Sequence, residues 1–266
     1  MPLKPYYQNR DISLYLNDAA SWLEQLEAES VDLIITDPAY SGMNRHLMLG
    51  SGRIVGQYDA RGSERWFDEF EDTQSNYRRL LAACQRVLRN NSHLFIMFDA
   101  FSLLSLGPLL REYFEVKNLI TWDKAHMGMG HYFRRQTEFI LFASKGRKPL
   151  ARRDIADIWR FRRIHRARYP TQKPVELFEA MIASSRAVDE SVFTVCDPFT
   201  GSGSSAIASI RQNCRFIGAD IAERALDLSI ERIEHLHTYG TDPLQPTTAV
   251  AVNQKRFWEH QTDASS

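Results

Sequence analysis

Apolar residues along this chain form short runs that alternate with helical patterns. The runs have the length of β-strands and lie at residues 31–36, 93–98, 116–122, 137–143, 192–196 and 214–219. This alternation is typical of a parallel sheet with helices on both faces. We therefore predict an α/β fold.

The clearest helical pattern covers residues 73–88. Its apolar residues recur every three or four positions, at Tyr77, Leu80, Leu81, Cys84 and Val87. They form one stripe that we expect to lie on the sheet. A second helix is predicted to begin at Pro174, because the fixed φ of proline suits the first helical turn.

Length and composition fit a single compact enzyme domain. The chain has 266 residues, of which 44% are hydrophobic and 25% charged, as in soluble enzymes rather than disordered chains. We predict one catalytic domain over residues 1–240, with variable segments at about 43–66 and 147–168. Residues 241–266 are predicted to form a loosely held tail.

Cysteine usage and hydropathy bear on the compartment. Three cysteines, at positions 84, 196 and 214, give no disulfide framework and no paired metal-ligand spacing, which favours a reducing compartment and no bound metal. The chain shows no leader pattern, and no apolar stretch reaches the ~20 residues of a membrane span. We expect a cytoplasmic protein without a membrane partner.

Positive charge is concentrated in one segment, although the whole chain is neutral, with 33 basic and 33 acidic residues. Residues 145–173 carry eleven lysines or arginines against two acids, and such a block attracts phosphates. Flat side chains lie within it, at Trp159, Phe161, His165 and Tyr169, and are predicted to stack on bases or wedge between them. A solvated surface loop is the alternative.

A glycine-rich turn follows the predicted strand at 192–196. Its sequence, Asp197-Pro198-Phe199-Thr200-Gly201-Ser202-Gly203, leads into a predicted helix at 206–212. Glycines let the backbone approach a ligand, and a helix N-terminus attracts negative groups. Asp220 ends the next strand, where an acid can accept hydrogen bonds from ribose hydroxyls. The arrangement predicts a nucleoside-bearing cofactor, and a purely structural turn is the alternative.

An acid, a proline and an aromatic residue follow the predicted strand at 31–36. Asp37-Pro38-Ala39-Tyr40 lies at the carboxyl end of that strand, where open α/β sheets bind ligands. The Asp37 carboxylate and the Pro38 carbonyl would accept hydrogen bonds from an exocyclic amine and expose its lone pair for methylation. Tyr40 would stack on a base that has left the duplex. A plain β-turn is the alternative.

These blocks resemble the DNA amino-methyltransferases that modify adenine N6 or cytosine N4, specifically their permuted β class. In that class a D-P-P-Y-like catalytic block precedes an F-x-G-x-G-like cofactor block, as residues 37–40 precede residues 199–203 here. Thr171-Gln172-Lys173-Pro174 resembles the family's T-x-K-P element, and the similarity spans residues 10–237. It implies a Rossmann-like fold that uses S-adenosylmethionine.

The resemblance also implies roles for individual residues. Asp37, Pro38 and Tyr40 would hold the target base. Lys173 would approach the methionine carboxylate, and Asp220 and Asp18 would approach the ribose and the adenine of the cofactor. The full cofactor set is Asp18, Lys173, Asp197, Phe199, Thr200, Gly201, Ser202, Gly203 and Asp220. Arginines of the variable segments would contact double-stranded DNA, namely Arg53, Arg152, Arg153, Arg160, Arg162, Arg163, Arg166 and Arg168.

Three positions depart from the family pattern. Ala39 replaces a second proline, Tyr169 takes a place often held by histidine, and Asn17 replaces the glycine before Asp18. The last departure leaves a helix N-cap role for either Asn17 or Asp18 as an equal alternative. In this family an Asp-led tetrad goes with adenine and a Ser-led one with cytosine. The resemblance therefore implies adenine N6, with cytosine N4 as the alternative.

Other functions stay open at this point. A nucleotide-binding dehydrogenase would use the glycine turn and Asp220 but not the Asp37 block. A catalytically silent DNA-binding module would use only the basic segment. An RNA or protein amine is another candidate acceptor. The resemblance also makes a bacterial or phage origin, a homodimer and a partner restriction endonuclease reasonable expectations.

Overall fold

The computed structural model describes residues 3–38, 73–128, 133–152, 154–165, 167–169, 171–187 and 190–245. The strands of this part are β1 (Tyr7–Asn9), β2 (Ile12–Leu16), β3 (Val31–Thr36), β4 (Leu88–Phe98), β5 (Glu115–Asp123), β6 (Thr137–Lys145), β7 (Ile158–Arg160), β8 (Thr194–Asp197) and β9 (Arg215–Asp220). The helices are α1 (Ala19–Leu23), α2 (Gln74–Val87), α3 (Ala100–Leu106), a 3-10 helix (Gly107–Glu112), α4 (Val175–Ser185), α5 (Ser204–Arg211) and α6 (Glu223–Tyr239).

All the described strands form one sheet, in the order β1-β2-β9-β8-β3-β4-β6-β5-β7. Strands β2, β9, β8, β3 and β4 run parallel, which confirms the predicted α/β fold. The sheet is not wholly parallel, because β6 runs antiparallel to both β4 and β5. Strand β6 follows β5 along the chain and pairs with it as in a hairpin, without a helical crossover. It can therefore run antiparallel to β5.

Each face of the sheet is covered by helices. Alternate residues of β3 point to opposite faces, so Leu33 and Ile35 pack with α4, α5 and α6 while Ile34 packs with α1 and α2. The predicted stripe of α2 is buried against the sheet, and Thr73 caps this helix by accepting a 3.2 Å hydrogen bond from the amide of Asn76. Pro174 precedes the first turn of α4 as its N-cap residue.

The carboxyl ends of the parallel strands bring several acids to one edge. Asp197 and Asp220 end β8 and β9, and Asp37 directly follows β3. Asp99 follows β4, and Asp18 lies two residues beyond β2. Because these strands are neighbours in the sheet, side chains from distant parts of the sequence meet at this edge.

Part of the predicted C-terminal tail is packed into the fold. The carboxylate of Asp242 accepts hydrogen bonds of 3.0 and 2.6 Å from the guanidinium of Arg232, and both side chains are fully buried. The side chain of Gln245 also accepts a 2.9 Å hydrogen bond from the amide of Val175, so residues 242 and 245 both contact the predicted catalytic domain. Within the described segments, no helix has the length and apolarity that crossing a membrane requires.

Candidate active site

The glycine turn between β8 and α5 is shaped by backbone conformation. Gly201 and Gly203 have φ values of 52° and 79°, which side chains rarely adopt. A Cβ at Gly203 would lie 2.8 Å from Ser229 Oγ, and one at Gly218 would overlap Thr200 Oγ1. The turn is therefore a tight cradle that leads into the N-terminus of α5, as predicted for a site that receives a negative group.

Helix α6 holds this turn from behind. The hydroxyl of Ser229 donates a 2.8 Å hydrogen bond to the carbonyl of Gly201. The guanidinium of Arg232 donates to the carbonyl of Ser202 at 2.5 Å and to the hydroxyl of Ser204 at 3.1 Å. Ser229 and Arg232 were absent from the sequence-based candidates, because nothing local marks a helical residue that supports a turn about 30 positions away.

Asp197 links the end of β8 to the end of β3. Its carboxylate accepts hydrogen bonds from Thr36 Oγ1 at 3.0 Å, from Ser205 Oγ at 2.6 Å and from the amide of Phe199 at 3.0 Å. Burial raises the pKa of Asp197 to about 7, although these donors act to lower it. The side chain thus fixes the geometry of the turn and ties it to the end of β3.

Asp220 and Asp18 lie at the ends of adjacent strands. Asp220 accepts a 2.8 Å hydrogen bond from the amide of Gly201 and a 2.9 Å bond from that of Ala222, and burial raises its pKa. Asp18 accepts a 2.9 Å bond from the amide of Ser21 and caps α1. Of the two roles weighed for Asp18, the structure shows the N-cap.

Asp37 forms an ion pair with Lys173. The two charged atoms are in direct contact, and both side chains are mostly buried. Burial raises the pKa of Asp37 even though the positive charge of Lys173 acts to lower it. Burial acts to lower the pKa of Lys173, but the carboxylates of Asp37 and Glu138 outweigh it and raise that pKa. Pro38, the next predicted catalytic residue, is buried.

Two further charged residues extend this pair into an alternating network. Glu138, at the start of β6, lies 3.8 Å from the ammonium of Lys173. Its other carboxylate oxygen accepts a 3.0 Å hydrogen bond from Lys124. The sequence analysis did not single out residue 124 or residue 138. Lys124 and Glu138 carry opposite charges on the two sides of the β5–β6 connection. Their pairing can be recognised only once the strand pairing is known.

Tyr169 covers the glycine turn. A Cβ at Gly201 would lie 3.5 Å from two carbons of the Tyr169 ring. Burial raises the pKa of the Tyr169 hydroxyl, and the nearby charges of Asp220 and Asp37 raise it further. This residue therefore lies between the predicted cofactor turn and the predicted catalytic carboxylate.

The basic segment is only partly as predicted. Trp159 and Phe161 are buried in the core, and the indole of Trp122 donates a 2.8 Å hydrogen bond to the carbonyl of Phe161. The stacking or wedging role expected for Trp159, Phe161 and Tyr169 is therefore wrong, because β7 joins the sheet edge and turns the first two inward. His165 stays exposed, with its ring 5.2 Å from that of His126.

The predicted DNA-binding arginines have different surroundings. Arg152, Arg160 and Arg168 are ion-paired with Asp154, Asp123 and Glu231. Arg162 and Arg163 are exposed, and among the described residues neither has an ion pair of 4.0 Å or less. Several predicted residues lie outside the described ranges, namely Ala39, Tyr40, Arg53, Arg153, Arg166 and the whole segment 43–66.

The described residues between β5 and β6, 124–128 and 133–136, lie at the same edge. Gly128 donates a 2.8 Å backbone hydrogen bond to the carbonyl of Arg135, and the guanidinium of Arg134 donates at 2.7 Å to the carbonyl of Gly128. Arg135 lies 4.5 Å above the ring of Phe101. Phe133 is fully exposed on this anchored arm. The sequence analysis did not single out any of these residues.

Residues 31–231 match the family described as DNA methylase, the N6/N4 methyltransferases. The match covers about three quarters of the 266-residue chain and includes the ends of β3, β8 and β9. The chain belongs to this family. The expected family, fold and methyl donor, S-adenosylmethionine, are thereby confirmed.

Individual relatives of this DNA methyltransferase agree with the family match. This chain is 28% identical to the Type II methyltransferase M2.LlaDCHI of Lactococcus lactis subsp. cremoris, over 89% of this chain and 94% of that protein. The fold is similar to that of TTHA0409 from Thermus thermophilus, solved as a complex with S-adenosyl-L-methionine (TM-score 0.59, 23% identity, covering 86% and 97%). It is also similar to PvuII DNA methyltransferase, described as cytosine-N4-specific (TM-score 0.63, 13% identity, covering 85% and 88%).

Proposed function

We propose that this methyltransferase modifies the N6 amino group of adenine at a specific site in double-stranded DNA. One observation carries the proposal. Asp37 directly follows β3, and the preceding residue, Thr36, donates a 3.0 Å hydrogen bond to Asp197 of the glycine turn. The carboxylate that would receive the target amine is thus fixed beside the cradle that would receive the cofactor. An Asp-led block at this position supports adenine as the target.

S-adenosylmethionine supplies a methyl group made electrophilic by its sulfonium centre. The protein's part is orientation, since the lone pair of an exocyclic amine is delocalised into the ring. The Asp37 carboxylate and the Pro38 carbonyl would accept hydrogen bonds from the two amine hydrogens. The ion pair with Lys173 holds Asp37 in place, and Asp37 must share its acceptor capacity with the incoming amine.

The cradle fits the proposed cofactor. Gly201 and Gly203 have positive φ values, which let the backbone of the turn approach a ligand, and the N-terminus of α5 favours a carboxylate. Asp220 is buried at the neighbouring strand end, so an oxygen that now accepts from a backbone amide would also accept from ribose hydroxyls. Lys173 would then divide its charge between Asp37 and the methionine carboxylate.

DNA would approach the edge of the sheet that carries these residues. Arg160, Arg162, Arg163 and Arg168 lie at or just after the end of β7 and are exposed. The anchored arm between β5 and β6 adds the exposed Phe133. Positive charge beside an exposed aromatic ring suits a surface that contacts phosphates and bases.

The decisive experiment is methylation of duplex DNA followed by digestion to nucleosides. Asp37→Ala should abolish transfer from labelled S-adenosylmethionine. The matched control is Asp11→Ala, since Asp11 is an exposed carboxylate that precedes β2 at the opposite edge and pairs with Arg215. Equal activity of Asp37→Ala and Asp11→Ala would contradict the catalytic role.

The methylated nucleoside decides the target. N6-methyladenine supports the proposal, and N4-methylcytosine replaces it with the alternative, for which the shared fold with PvuII methyltransferase gives precedent. Equal or better transfer to RNA or to protein would overturn the DNA assignment for this chain. Sequencing of modified sites would define the recognised sequence.

The biological setting is also a proposal. The Type II name of the relative M2.LlaDCHI supports a restriction–modification setting with an endonuclease of the same specificity. A bacterial or phage origin and a cytoplasmic location are part of the same proposal, since DNA is the proposed substrate. The expected homodimer stays a prediction, which light scattering of the purified protein tests.

A further inference from the structure

The side chain of Phe133 is fully exposed. Its exposed fraction, 103%, is that of an isolated residue, and the next most exposed large apolar side chain of the described ranges, Leu104, reaches 75%. An apolar ring gains free energy when it leaves water. Single exposed apolar residues are common on protein surfaces, so the surroundings of Phe133 have to indicate what would cover it.

The backbone around Phe133 is held in an ordered arrangement. The amide of Lys124 donates a 2.9 Å hydrogen bond to the carbonyl of Gln136, and the amide of Gly128 donates a 2.8 Å bond to the carbonyl of Arg135. These bonds extend the antiparallel pairing of β5 with β6 beyond its last ladder pair. Less freedom is lost on binding when a contacting residue already has an ordered backbone. The anchored arm therefore presents the ring before a partner arrives.

Phe133 lies close to the predicted catalytic carboxylate. Glu138 follows it by five positions, which corresponds to at most about 18 Å of extended chain. The carboxylate of Glu138 lies 3.8 Å from the ammonium of Lys173, which contacts Asp37. The ring therefore lies at the edge of the sheet where the target base would enter.

Two cationic side chains accompany the ring. Arg134 and Arg135 directly follow Phe133, and both are exposed. The guanidinium of Arg134 donates a 2.7 Å hydrogen bond to the carbonyl of Gly128, and that of Arg135 lies 4.5 Å above the ring of Phe101 in α3. Guanidinium groups contact DNA phosphates, and apolar side chains such as Phe insert between base pairs. An apolar ring followed by two arginines therefore matches a duplex, which carries its phosphates outside its stacked bases.

Base flipping leaves a gap in the base stack. In the proposed reaction the target adenine must leave the duplex before its amine can reach Asp37, and it then loses its stacking and its pairing. An aromatic ring in the vacated place stacks on the neighbouring bases, since every base has a π face. We propose that Phe133 enters the duplex beside the target adenine and fills the gap that the flipped base leaves. This assignment rests on the proposed function and makes Phe133 a positioning residue, because the ring stabilises the flipped state without touching the reacting atoms.

Single-turnover methylation of two duplexes tests the assignment. In one the target adenine is paired with thymine, and in the other it faces an abasic site, so that no pairing holds it in the stack. Phe133→Ala should methylate the paired duplex about 5- to 150-fold more slowly than the wild type, the range for loss of one base–aromatic stack. On the abasic duplex its rate should stay within about twofold of the wild type, because an unpaired base leaves the stack readily. Phe133→Trp, which keeps an aromatic ring, should retain most of the wild-type rate on both duplexes.

A fluorescent base reports on flipping itself. With 2-aminopurine at the target position, Phe133→Ala should give a smaller fluorescence increase than the wild type, because less of the base leaves the stack. Tyr239→Ala is the matched control, since Tyr239 is 69% exposed at the end of α6 and should change neither the rate nor the fluorescence. Neither residue is buried, so both variants should melt at the temperature of the wild type.

Three results would overturn the assignment. An unchanged rate on the paired duplex, or equal losses on the two duplexes, would mean that Phe133 does not assist flipping. A change of oligomeric state in light scattering with normal methylation would mean that a second copy of the chain covers the ring. These results refute only the role of Phe133, whereas wild-type protein that methylates neither duplex would refute the proposed function itself.

Discussion

The ammonium of Lys173 contacts the carboxylate of Asp37 across 136 positions of sequence. This ion pair links the T-x-K-P element to the end of β3, and it couples the residue expected at the methionine end to the residue expected at the target base. A group that displaces Lys173 from Asp37 removes a charge that lowers the pKa of the Asp37 carboxyl. In the proposed mechanism, the acidic limb of the pH profile should therefore respond to both partners.

Removing the positive partner should move that limb to higher pH. Burial raises the pKa of Asp37 and Lys173 lowers it, so Lys173→Gln leaves the raising effect unopposed. In the proposed role the ionised Asp37 carboxylate is the stronger acceptor for the amine, so the mutant should need a higher pH for half-maximal rate. Single-turnover methylation at saturating S-adenosylmethionine measures this. Lys173→Arg, which keeps the charge, should shift the limb less, and a shift to lower pH for Lys173→Gln would refute the argument.

Removing the negative neighbour should have the opposite sign. The charge of Glu138 raises the pKa of Asp37, so Glu138→Gln should lower that pKa and move the acidic limb to lower pH. The same single-turnover assay applies. Glu115→Gln serves as control, since Glu115 is an exposed residue at the far end of β5 that pairs with Lys117. Equal shifts in the two variants would show that Glu138 does not act through Asp37.

Alanine substitutions at Gly203 and Gly240 should separate two causes of destabilisation, backbone strain and overpacking. Gly203 and Gly240 have similar φ values of 79° and 71°, but a Cβ at Gly203 would meet Ser229 whereas one at Gly240 meets nothing within 4 Å. Gly240→Ala should lower the free energy of unfolding by about 1–2 kcal/mol through backbone strain alone. Gly203→Ala should lower it by roughly 1–3 kcal/mol more because of overpacking. Denaturant unfolding of both variants measures the difference, and equal losses would contradict it.

Loss of Asp242 should destabilise the protein strongly. Asp242→Ala leaves the guanidinium of Arg232 buried without its counter-charge, which typically costs about 3–5 kcal/mol. Urea unfolding should show this loss, while Asp11→Ala on the surface should change stability by no more than about 0.5 kcal/mol. A small effect of Asp242→Ala would mean that residues 241–245 are dispensable for the packed structure.

Two exposed arginines should contribute to the salt dependence of DNA binding. Arg162→Gln and Arg163→Gln should each reduce the slope of log affinity against log salt concentration by about 0.9, the value for one phosphate contact on duplex DNA. Arg78→Gln is the control, because Arg78 lies on α2 and pairs with Glu112. Anisotropy titrations between roughly 50 and 200 mM salt, the range over which such slopes are usually expressed, give the numbers. Unchanged slopes would exclude phosphate contacts by these side chains.

Local patterns predicted the elements well. The strand at residues 31–36 and the stripe of α2 are as expected, since an apolar run and helical spacing both follow from burial. The glycine turn was also recognisable, because its residue types follow from backbone conformation. Strands β1 and β7 have three residues each, too few for a periodic signal.

Contacts between distant elements were not predictable in the same way. The reversed direction of β6 depends on its neighbours, because a buried strand reads alike in both directions. The ion pair of Lys173 with Asp37 and the support of the turn by Arg232 depend on how helices and loops return to the sheet. Trp159 and Phe161 were assigned to the surface because the basic residues around them gave no pattern that indicates a short edge strand.

The order of strands in the sheet also governs how the protein is made. Strand β2, near residue 14, pairs with β9, near residue 218, and β3 pairs with β8 from residue 194 onward. A nascent chain that ends before β8 leaves β3 with one open side and lacks the glycine turn altogether. Such long-range pairing slows folding and exposes strand edges during synthesis. Catalytic competence thus arrives late in translation, and the incomplete chain is the form most in need of chaperone protection.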